Sequence, residues 1–231
     1  MKTCVIIPTL NEEKNINKIF NKIKKTKLKT DILFVDDNSN DNSQSIIKSL
    51  KKKYKFVKFI FRKNKFGIGS AHKDGFKYVY KKKYDLIITM DCDGTHDPKY
   101  FKKMVRAADF YDYVLTSRFN QPYLIDDWPL HRKILTQIRH ILVKIFLNLN
   151  YDASGAFRCF YREKIKLSDL LSAKNNEYAF FWEITYILNK KKYLIYEIPV
   201  KLIYRKLGKS KMKFIHIFGS LFYLVKVFFS K

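Results

Sequence analysis

Short apolar runs alternate with amphipathic stretches over the first half of this chain, and the alternation limits it to few folds. The predicted strands lie near residues 3–8, 31–36, 56–61, 84–90 and 112–117, and the predicted helices near 12–26, 42–54, 69–82 and 98–108. Nearly continuous apolar runs of this length are typical of strands buried on both faces of a parallel sheet. Repeated strand–helix–strand units predict a right-handed, mostly parallel α/β sheet flanked by helices.

Carboxylates follow two of these predicted strands directly. The second ends in Asp36 and Asp37, and the fourth is followed by Asp91 and Asp93. Ligands of such sheets bind at the carboxyl ends of the strands. Acidic groups this close resist ionising unless a hard divalent cation or hydrogen-bond donors offset their repulsion. The Asp-x-Asp pair therefore predicts Mg²⁺ or Mn²⁺ bridging phosphate oxygens, whereas for Asp41 helix capping is an equally good interpretation.

The net charge of +26 raises the question of a nucleic-acid partner. Most of this charge is lysine, in runs such as 51–53, 81–83 and 190–192, near the ends of predicted helices. Cations at these positions favour the helix dipole and stay solvated. Since no nucleic-acid-binding motif accompanies the charge, we expect no nucleic-acid partner. A basic surface instead favours an anionic membrane leaflet.

The length of 231 residues suits one α/β domain with a sizeable core, and the chain has no internal repeat and no Gly/Pro/Ser-rich linker. Its cysteines, Cys4, Cys92 and Cys159, are widely spaced and match no metal or disulfide framework. We expect them to be buried thiols in a reducing cytoplasmic setting. The apolar run after Lys2 is short and ends at Pro8, so a signal peptide is not expected.

The second half of the chain predicts helices near 128–150 and 176–191, a strand near 193–199, and an extended stretch to about 204. In the first helix, residues at helical spacing form an apolar stripe: Ile134, Ile138, Ile141, Ile145 and Leu149. Basic residues, including Arg132 and Arg139, lie off this stripe. The pattern leaves two interpretations open, a stripe that packs in the core and a stripe that faces a membrane.

The segment 214–230 is strongly apolar but contains His216 and Lys226. Its 17 residues fall short of the ~20 that usually cross a bilayer. We expect an interfacial helix lying in one leaflet, and a buried structural helix is the alternative.

Four strings in the first half carry a family resemblance. They are Val5 to Glu12, Asp36-Asp37, Lys65 to Ala71, and the Asp91-x-Asp93 string. In order and spacing they resemble the inverting family-2 glycosyltransferases of the GT-A fold. The second half resembles the polyprenol-phosphate (dolichol-phosphate) mannosyltransferase branch, through Ser117-Arg118-Phe119, Trp128, Arg132, residues 152–158, and Glu197-Ile198-Pro199 with Arg205, Gly208, Ser210 and Lys211.

The resemblance covers about residues 2–212 and implies a catalytic domain over 1–212, followed by an interfacial helix over 213–231. Within the domain, about 1–117 would be the nucleotide-sugar half and about 118–212 the acceptor half. The residues that it implies for nucleotide-sugar binding are Pro8, Leu10, Glu12, Asp36, Asp37, Gly69, Asp91, Arg205 and Lys211.

The resemblance assigns the divalent metal to Asp91 and Asp93. The family commonly has a glutamine where this chain has Thr95, and glutamine helps complete the metal shell. The candidate substitutes are the shorter Thr95 hydroxyl, a water molecule and Asp97. This departure leaves the choice between Mg²⁺ and Mn²⁺ open.

The resemblance also assigns the acceptor phosphate to Arg118 and Arg132, with Ser154 as a further candidate, and makes Asp93 and these two arginines the catalytic set. It implies inverting transfer of a hexose, with mannose from GDP-mannose favoured, to a polyprenyl phosphate at the cytoplasmic membrane face. A membrane subunit is a further potential partner. A phosphate monoester, with a second pKa near ~6, needs no strong general base.

Two other functions stay open at this point. A family-2 transferase acting on a surface polysaccharide would need a carboxylate base, and Glu177 and Glu183 lie in the relevant region of the chain. A non-catalytic, membrane-associated subunit that binds a nucleotide sugar is the second alternative. The intact Asp91 and Asp93 argue against it.

Overall fold

The computed structural model describes residues 1–119, 125, 128–205, 207, 211 and 214–230. The strands are β1 (Thr3–Thr9), β2 (Thr30–Asp36), β3 (Val57–Phe61), β4 (Leu86–Thr89), β5 (Tyr113–Ser117), β6 (Arg158–Tyr161) and β7 (Ile195–Pro199). The helices are α1 (Glu13–Lys25), α2 (Ser43–Lys53), α3 (Ile68–Lys81), α4 (Phe101–Phe110), α5 (Leu130–Leu147), α6 (Leu167–Leu171), α7 (Phe180–Lys190) and α8 (Phe214–Phe229). A 3₁₀ turn, Pro98–Tyr100, precedes α4.

The described strands form one seven-stranded sheet in the order β3-β2-β1-β4-β6-β5-β7. Neighbouring strands are parallel except at β6, which is antiparallel to both β4 and β5. The predicted mostly parallel sheet is therefore confirmed, whereas strand β6 was missed. Thr9 lies opposite Asp36, so β1 and β2 end at the same level. Their carboxyl ends meet there, and the chain that follows β4 returns to the same edge.

The two faces of the sheet carry separate apolar cores because alternate strand residues point to opposite faces. Along β1, Val5 and Ile7 pack with α1, α2 and α4 on one face. Cys4 and Ile6 pack with α3, α6 and α7 on the other face. Burial on both faces explains why the strands contain so few polar residues. The three cysteines are all buried, as expected from the sequence.

Helices α5 and α8 pack against each other at the side of the molecule, with α8 inserting Leu224 beside Val143 and Trp182. The other face of α5 is open, and its isoleucines are 46–69% exposed: Ile134, Ile138, Ile141 and Ile145. The core-packing interpretation of this stripe is therefore wrong for these four residues. Leu149 is fully buried and lies beyond the end of the helix.

Helix α8 combines the two interpretations that its sequence left open. Leu224 is buried, and Trp182 Nε1 donates a hydrogen bond to Ser220 Oγ at 3.0 Å. In contrast, Phe218 and Phe222 are mostly exposed. None of the helices in the described ranges has the length and apolar character required to cross a membrane.

Candidate active site

The segment that follows β4 brings Asp91 and Asp93 to the carboxyl edge of the sheet. The imidazole of His96 turns back beneath them and accepts a hydrogen bond from the backbone N–H of Asp91 at 2.9 Å. Asp93 Oδ1 accepts two hydrogen bonds from Thr95, one from its backbone N–H at 3.0 Å and one from its hydroxyl at 2.8 Å. The Thr95 side chain thus orients Asp93. His96 itself is buried and stacks on Phe157.

A third carboxylate, Glu12, belongs to the same electrostatic group. Burial, Asp93 and Glu12, in that order, raise the pKa of Asp91 well above its usual range. Arg205 offsets part of this negative charge, because its Nη2 donates to both carboxylate oxygens of Glu12 at 2.9 and 2.8 Å. Its Nη1 also lies 3.5 Å from Asp93 Oδ2. A site that raises a carboxyl pKa in this way favours additional positive charge.

Lys211, the last described residue before α8, contacts the same group of residues. Lys211 Nζ donates to the backbone carbonyl of Asn11 at 3.0 Å and lies 3.9 Å from Glu12 Oε1. The structure therefore brings Glu12, Asp91, Asp93, Arg205 and Lys211 together, although nearly 200 residues separate the first from the last. Gly208 and Ser210, which contribute to the resemblance, lie outside the described residues.

The donor set is suited to a hard divalent cation, since Asp91 and Asp93 offer carboxylate oxygens and their electrostatic surroundings favour a cation. Asp97 is used elsewhere: Oδ1 accepts the backbone N–H of Lys99 at 3.0 Å, which caps the turn at Pro98. Among the described residues, no group of three or more His, Cys, Asp and Glu side chains is arranged to hold a metal. A cation here would rely on the two aspartates and on oxygens from the ligand or water.

Asp36 and Asp37 require a correction, because the structure uses both carboxylates to build loops. Asp36 is fully buried. It accepts hydrogen bonds from the Thr9 hydroxyl at 2.9 Å, from Ser39 N and Oγ at 2.9 and 2.6 Å, and from Gln44 Nε2 at 2.8 Å. These bonds hold the turn after β2. The sequence suggested that Asp36 contacts the nucleotide sugar, but in the structure its carboxylate is not free to do so.

Asp37 anchors the loop that leads into α3. Its oxygens accept bonds from Arg62 Nη1 at 2.7 Å and from the backbone N–H groups of Phe66 and Gly67, both at 2.9 Å. Arg62 is itself buried, so this is an internal ion pair. Asp37 is therefore used to hold the loop before α3.

The backbone conformation at Gly67 and the close packing at Gly69 both require glycine. Gly67 has a φ of +94°, and a Cβ at Gly69 would lie 2.5 Å from the Cβ of Phe180. Ser70 N also donates to the Asn176 carbonyl at 3.1 Å. The start of α3 thus packs closely against the segment before α7. Close approach of Gly69 to a donor molecule stays a prediction.

Arg118 lies at the end of β5 and forms a buried ion pair with Asp152. Its Nε and Nη2 donate to the two carboxylate oxygens at 2.7 and 2.6 Å, and its backbone N–H donates to Oδ2 at 3.0 Å. Both residues are at least 94% buried. The Arg118 guanidinium also donates to the Ser154 hydroxyl, and Glu197 accepts the backbone N–H of Asp152. Buried bidentate geometry of this kind fixes the direction of the guanidinium.

Arg132 stands in the first turn of α5, with its guanidinium 5.6 Å from the ring of Tyr204. Tyr204 lies edge-on to Trp128, which in turn lies 6.0 Å from the Arg118 guanidinium. The two arginines that the sequence assigned to one phosphate are therefore connected through two aromatic rings. Trp128 Nε1 donates to the Leu202 carbonyl at 3.0 Å, which fixes the indole.

The sequence profile of glycosyl transferase family 2 matches residues 4–167, well over half of the chain. The chain belongs to glycosyl transferase family 2. This transferase is 28% identical over 213 residues to an undecaprenyl-phosphate mannosyltransferase of Micrococcus luteus, an alignment that covers 92% of this chain and 88% of the relative. It is 30% identical to a UDP-N-acetylglucosamine–dolichyl-phosphate N-acetylglucosaminyltransferase of Methanococcus voltae, with 95% and 92% covered.

A solved structure confirms the fold of the transferase. Glucosyl-3-phosphoglycerate synthase of Mycobacterium tuberculosis, crystallised with Mn²⁺, UDP and its product, superposes with a TM-score of 0.65. The superposition covers 99% of this chain and 79% of that one, at 14% identity. The expected GT-A architecture is thus confirmed.

Two acidic residues of the transferase that were ambiguous in the sequence have structural partners. Asp41 accepts the backbone N–H of Glu13 at 3.1 Å and that of Ser43 at 2.9 Å, so it caps the starts of α1 and α2. Glu183, considered as a general base, is buried and accepts bonds from the backbone of Lys174 and Asn175. The Tyr223 hydroxyl donates a third bond to Glu183 at 2.7 Å.

Three residues that shape this site have no role that the sequence alone predicts. His96 supports Asp91, Asp152 directs Arg118, and Arg158 holds the turn between Asp152 and β6. Arg158 is buried and donates to the carbonyls of Ala153 and Gly155 at 2.7 and 2.9 Å. His96, Asp152 and Arg158 lie inside the quoted motifs or next to them, and only the tertiary contacts reveal their roles.

Proposed function

We propose that this transferase moves a hexose, with inversion at C1, from a nucleotide-diphosphate sugar to a polyprenyl phosphate at the cytoplasmic membrane face. The favoured sugar is mannose with GDP-mannose as its donor, and a divalent Mg²⁺ or Mn²⁺ ion is the cofactor. The observation that carries the proposal is that two full-length relatives are named for different sugars but for the same acceptor class, a polyprenyl phosphate. The names of these relatives thus support the acceptor class independently of the sugar.

The nucleotide-sugar half provides positive charge beside the nucleoside diphosphate that leaves. Asp91 and Asp93 would hold the metal, which when bound neutralises charge on the leaving nucleoside diphosphate. A GT-A structure crystallised with Mn²⁺ and UDP supports a divalent ion of this kind. Arg205 and Lys211, now bonded to Glu12 and Asn11, are in reach of a diphosphate bound beside these aspartates. Pro8 lies near the end of β1 and Leu10 directly follows the strand, so both are at the same edge and would contact the nucleoside.

The nucleophile is a phosphate oxygen of the acceptor, the polyprenyl phosphate. This oxygen forms a bond to C1 of the sugar while the bond from C1 to the diphosphate oxygen breaks, and the diphosphate leaves with the electron pair. The acceptor phosphate is largely ionised at neutral pH, so no side chain needs to remove a proton. The structural use of Glu183 agrees with a reaction that requires no general base. Arg118 and Arg132 would bind the acceptor phosphate through charge-assisted hydrogen bonds.

Peripheral membrane binding follows from the two exposed helix faces. The isoleucine stripe of α5 is continuous with α8 through the contact of Phe146 with Phe228, and Phe222 on α8 is 75% exposed. Lys133 and Lys144 flank the stripe on α5, and Lys226 lies on α8. An apolar face with basic flanks suits the interface of an anionic leaflet.

Sugar transfer by the purified protein tests the activity. GDP-mannose, UDP-glucose and UDP-N-acetylglucosamine are each incubated with undecaprenyl phosphate and Mn²⁺, Mg²⁺ or EDTA. We expect a lipid-phosphate sugar from GDP-mannose only, and none with EDTA. Asp93→Asn is expected to abolish transfer, whereas the exposed Glu163→Gln serves as the control. Product from another donor would correct the sugar, and donor binding without any lipid product would overturn the proposed acceptor.

Vesicle flotation tests the membrane face. The double variant Ile141→Glu, Phe222→Glu removes two exposed apolar side chains and adds two negative charges. Each buried side chain of this size contributes about 1.5–3 kcal/mol, so partition onto anionic vesicles should fall at least tenfold. Phe110→Glu, an equally exposed change on α4, is the matched control. Equal flotation of the two proteins would reject α5 and α8 as the membrane face.

A further inference from the structure

Arg139 lies on α5, and no carboxylate among the described residues forms an ion pair with it. Its Nη2 donates to the Ser154 hydroxyl at 2.9 Å. Its Nε is buried and has no hydrogen-bond partner within the described part of the chain. Burial, followed by the nearby charge of Arg118, lowers the pKa of Arg139 to about 10. A guanidinium whose Nε is buried without a partner is costly unless another group compensates its charge.

Among the described residues, Asp152 is the carboxylate whose charge acts on Arg139, and it cannot serve as the partner of Arg139. Its two oxygens already accept Nε and Nη2 of Arg118. Arg118 Nη2 also donates to the same Ser154 hydroxyl that accepts Arg139. Two guanidinium groups therefore converge on one hydroxyl, and a single carboxylate is committed to one of them. This arrangement can accept another negative group.

The position of Arg139 along α5 identifies the kind of anion. Arg132 and Arg139 are seven residues apart, which places them on one side of the helix. The exposed Ile138 and Ile141 form the other side. A ligand whose charged group reaches Arg139 can therefore lay an apolar tail along the exposed side of the same helix. A prenyl phosphate has this construction.

We propose that Arg139 binds the phosphate of the acceptor directly, with Arg118 and at the Ser154 hydroxyl, as a third acceptor arginine. This inference rests on the proposed function. A phosphate bound here accepts hydrogen bonds from two guanidinium groups. Arginine binds phosphate more strongly than lysine in this geometry, because its planar N–H groups can donate two bonds at once. The phosphate also supplies the missing charge, so the uncompensated Arg139 belongs to a site made for an anion.

Calorimetric binding of geranyl phosphate, with inorganic phosphate in parallel, tests the proposal. For Arg139→Gln we expect at least about tenfold weaker binding of geranyl phosphate and a similar rise in the acceptor KM. Donor KM should stay unchanged, and Arg139→Lys should give an intermediate loss. Arg106→Gln, an exposed arginine on α4, is the matched control and should behave as wild type. Loss of inorganic phosphate binding in parallel would show that the headgroup alone is recognised.

Thermal unfolding separates this role from a structural one. Removing a guanidinium whose buried Nε has no partner among the described residues should leave the unfolding temperature of Arg139→Gln unchanged or higher, whereas loss of a structural arginine would lower it. Wild-type affinity and acceptor KM in Arg139→Gln would overturn the inference while the proposed function stands. If wild-type protein binds no geranyl phosphate and transfers no sugar to a prenyl phosphate, the proposed function itself fails, and the inference with it.

Discussion

The replacement Asp152→Asn is the strongest test of how the acceptor half is built. Asp152 is 2% exposed and accepts three hydrogen bonds from Arg118. The amide of asparagine keeps one acceptor oxygen but turns an NH₂ group toward an N–H donor. The guanidinium of Arg118 then remains buried without its counter-charge. Breaking one side of a buried ion pair costs about 3–5 kcal/mol.

The expected loss is large enough to measure by thermal unfolding. In a domain of this size, each kcal/mol shifts the unfolding temperature by about 2–4 °C, so Asp152→Asn should unfold about 6–20 °C below wild type. Glu163→Gln, at an exposed carboxylate, should change stability by less than about 0.5 kcal/mol. We also expect Asp152→Asn to raise the acceptor KM more than the donor KM, because Arg118 loses its fixed direction.

The stability difference between wild type and Asp152→Asn should depend on pH, and the pKa of Asp152 fixes the direction. Burial opposes ionisation of Asp152, but the charge and hydrogen bonds of Arg118 outweigh it and lower the pKa of the carboxyl to about 2. This depressed pKa contributes about 2 kcal/mol to folding. The contribution is fully present above the unfolded pKa near ~4 and is lost as the pH falls toward 2. The stability gap between wild type and Asp152→Asn should therefore narrow below pH ~4.

Two results would refute this reasoning. An unfolding temperature equal to that of Glu163→Gln would show that the Arg118–Asp152 pair does not stabilise the fold. A normal unfolding temperature with a normal acceptor KM would show that Asp152 does not direct Arg118 toward the acceptor.

Two further predictions concern the contacts around α7. Gly69→Ala should destabilise the protein by about 1–3 kcal/mol, since the new Cβ would lie 2.5 Å from that of Phe180; an unchanged urea midpoint would contradict the close packing. Glu183→Gln should lower the unfolding temperature, because it weakens three hydrogen bonds, yet leave the pH profile of kcat unchanged. Loss of the acidic limb of that profile would instead identify Glu183 as the general base.

The sequence predicted the parallel part of the fold well because each buried strand there is a continuous apolar run. Strand β6 escaped prediction for a physical reason. It has only four residues, begins with the buried Arg158, and is paired on both sides by strands from earlier in the chain. Neither its length nor its periodicity distinguishes Arg158–Tyr161 from a loop. Helix α6 has five residues and was missed for the same reason.

Within the site, the sequence located carboxylates at strand ends but not the direction in which they point. Asp36 and Asp91 both follow apolar runs, yet Asp36 is enclosed by Thr9, Ser39 and Gln44, whereas the Asp91 side chain is 32% exposed. Hydrogen bonds from residues distant in the chain decide between these outcomes. Such contacts cannot be read from local patterns, so the difference between Asp36 and Asp91 required the structure.

The reversed strand β6 has a consequence for anyone who wants to build chimeras of such enzymes. β6 lies between β4, which leads to the metal-site aspartates, and β5, which leads to Arg118. A fragment ending at residue 117 would therefore leave β4 and β5 without the strand that joins them. Exchanging acceptor halves between homologues at that point would force β4 and β5 of one parent to pair with β6 of the other. A working exchange should keep residues 84–161 from a single parent and vary only the segments outside this range.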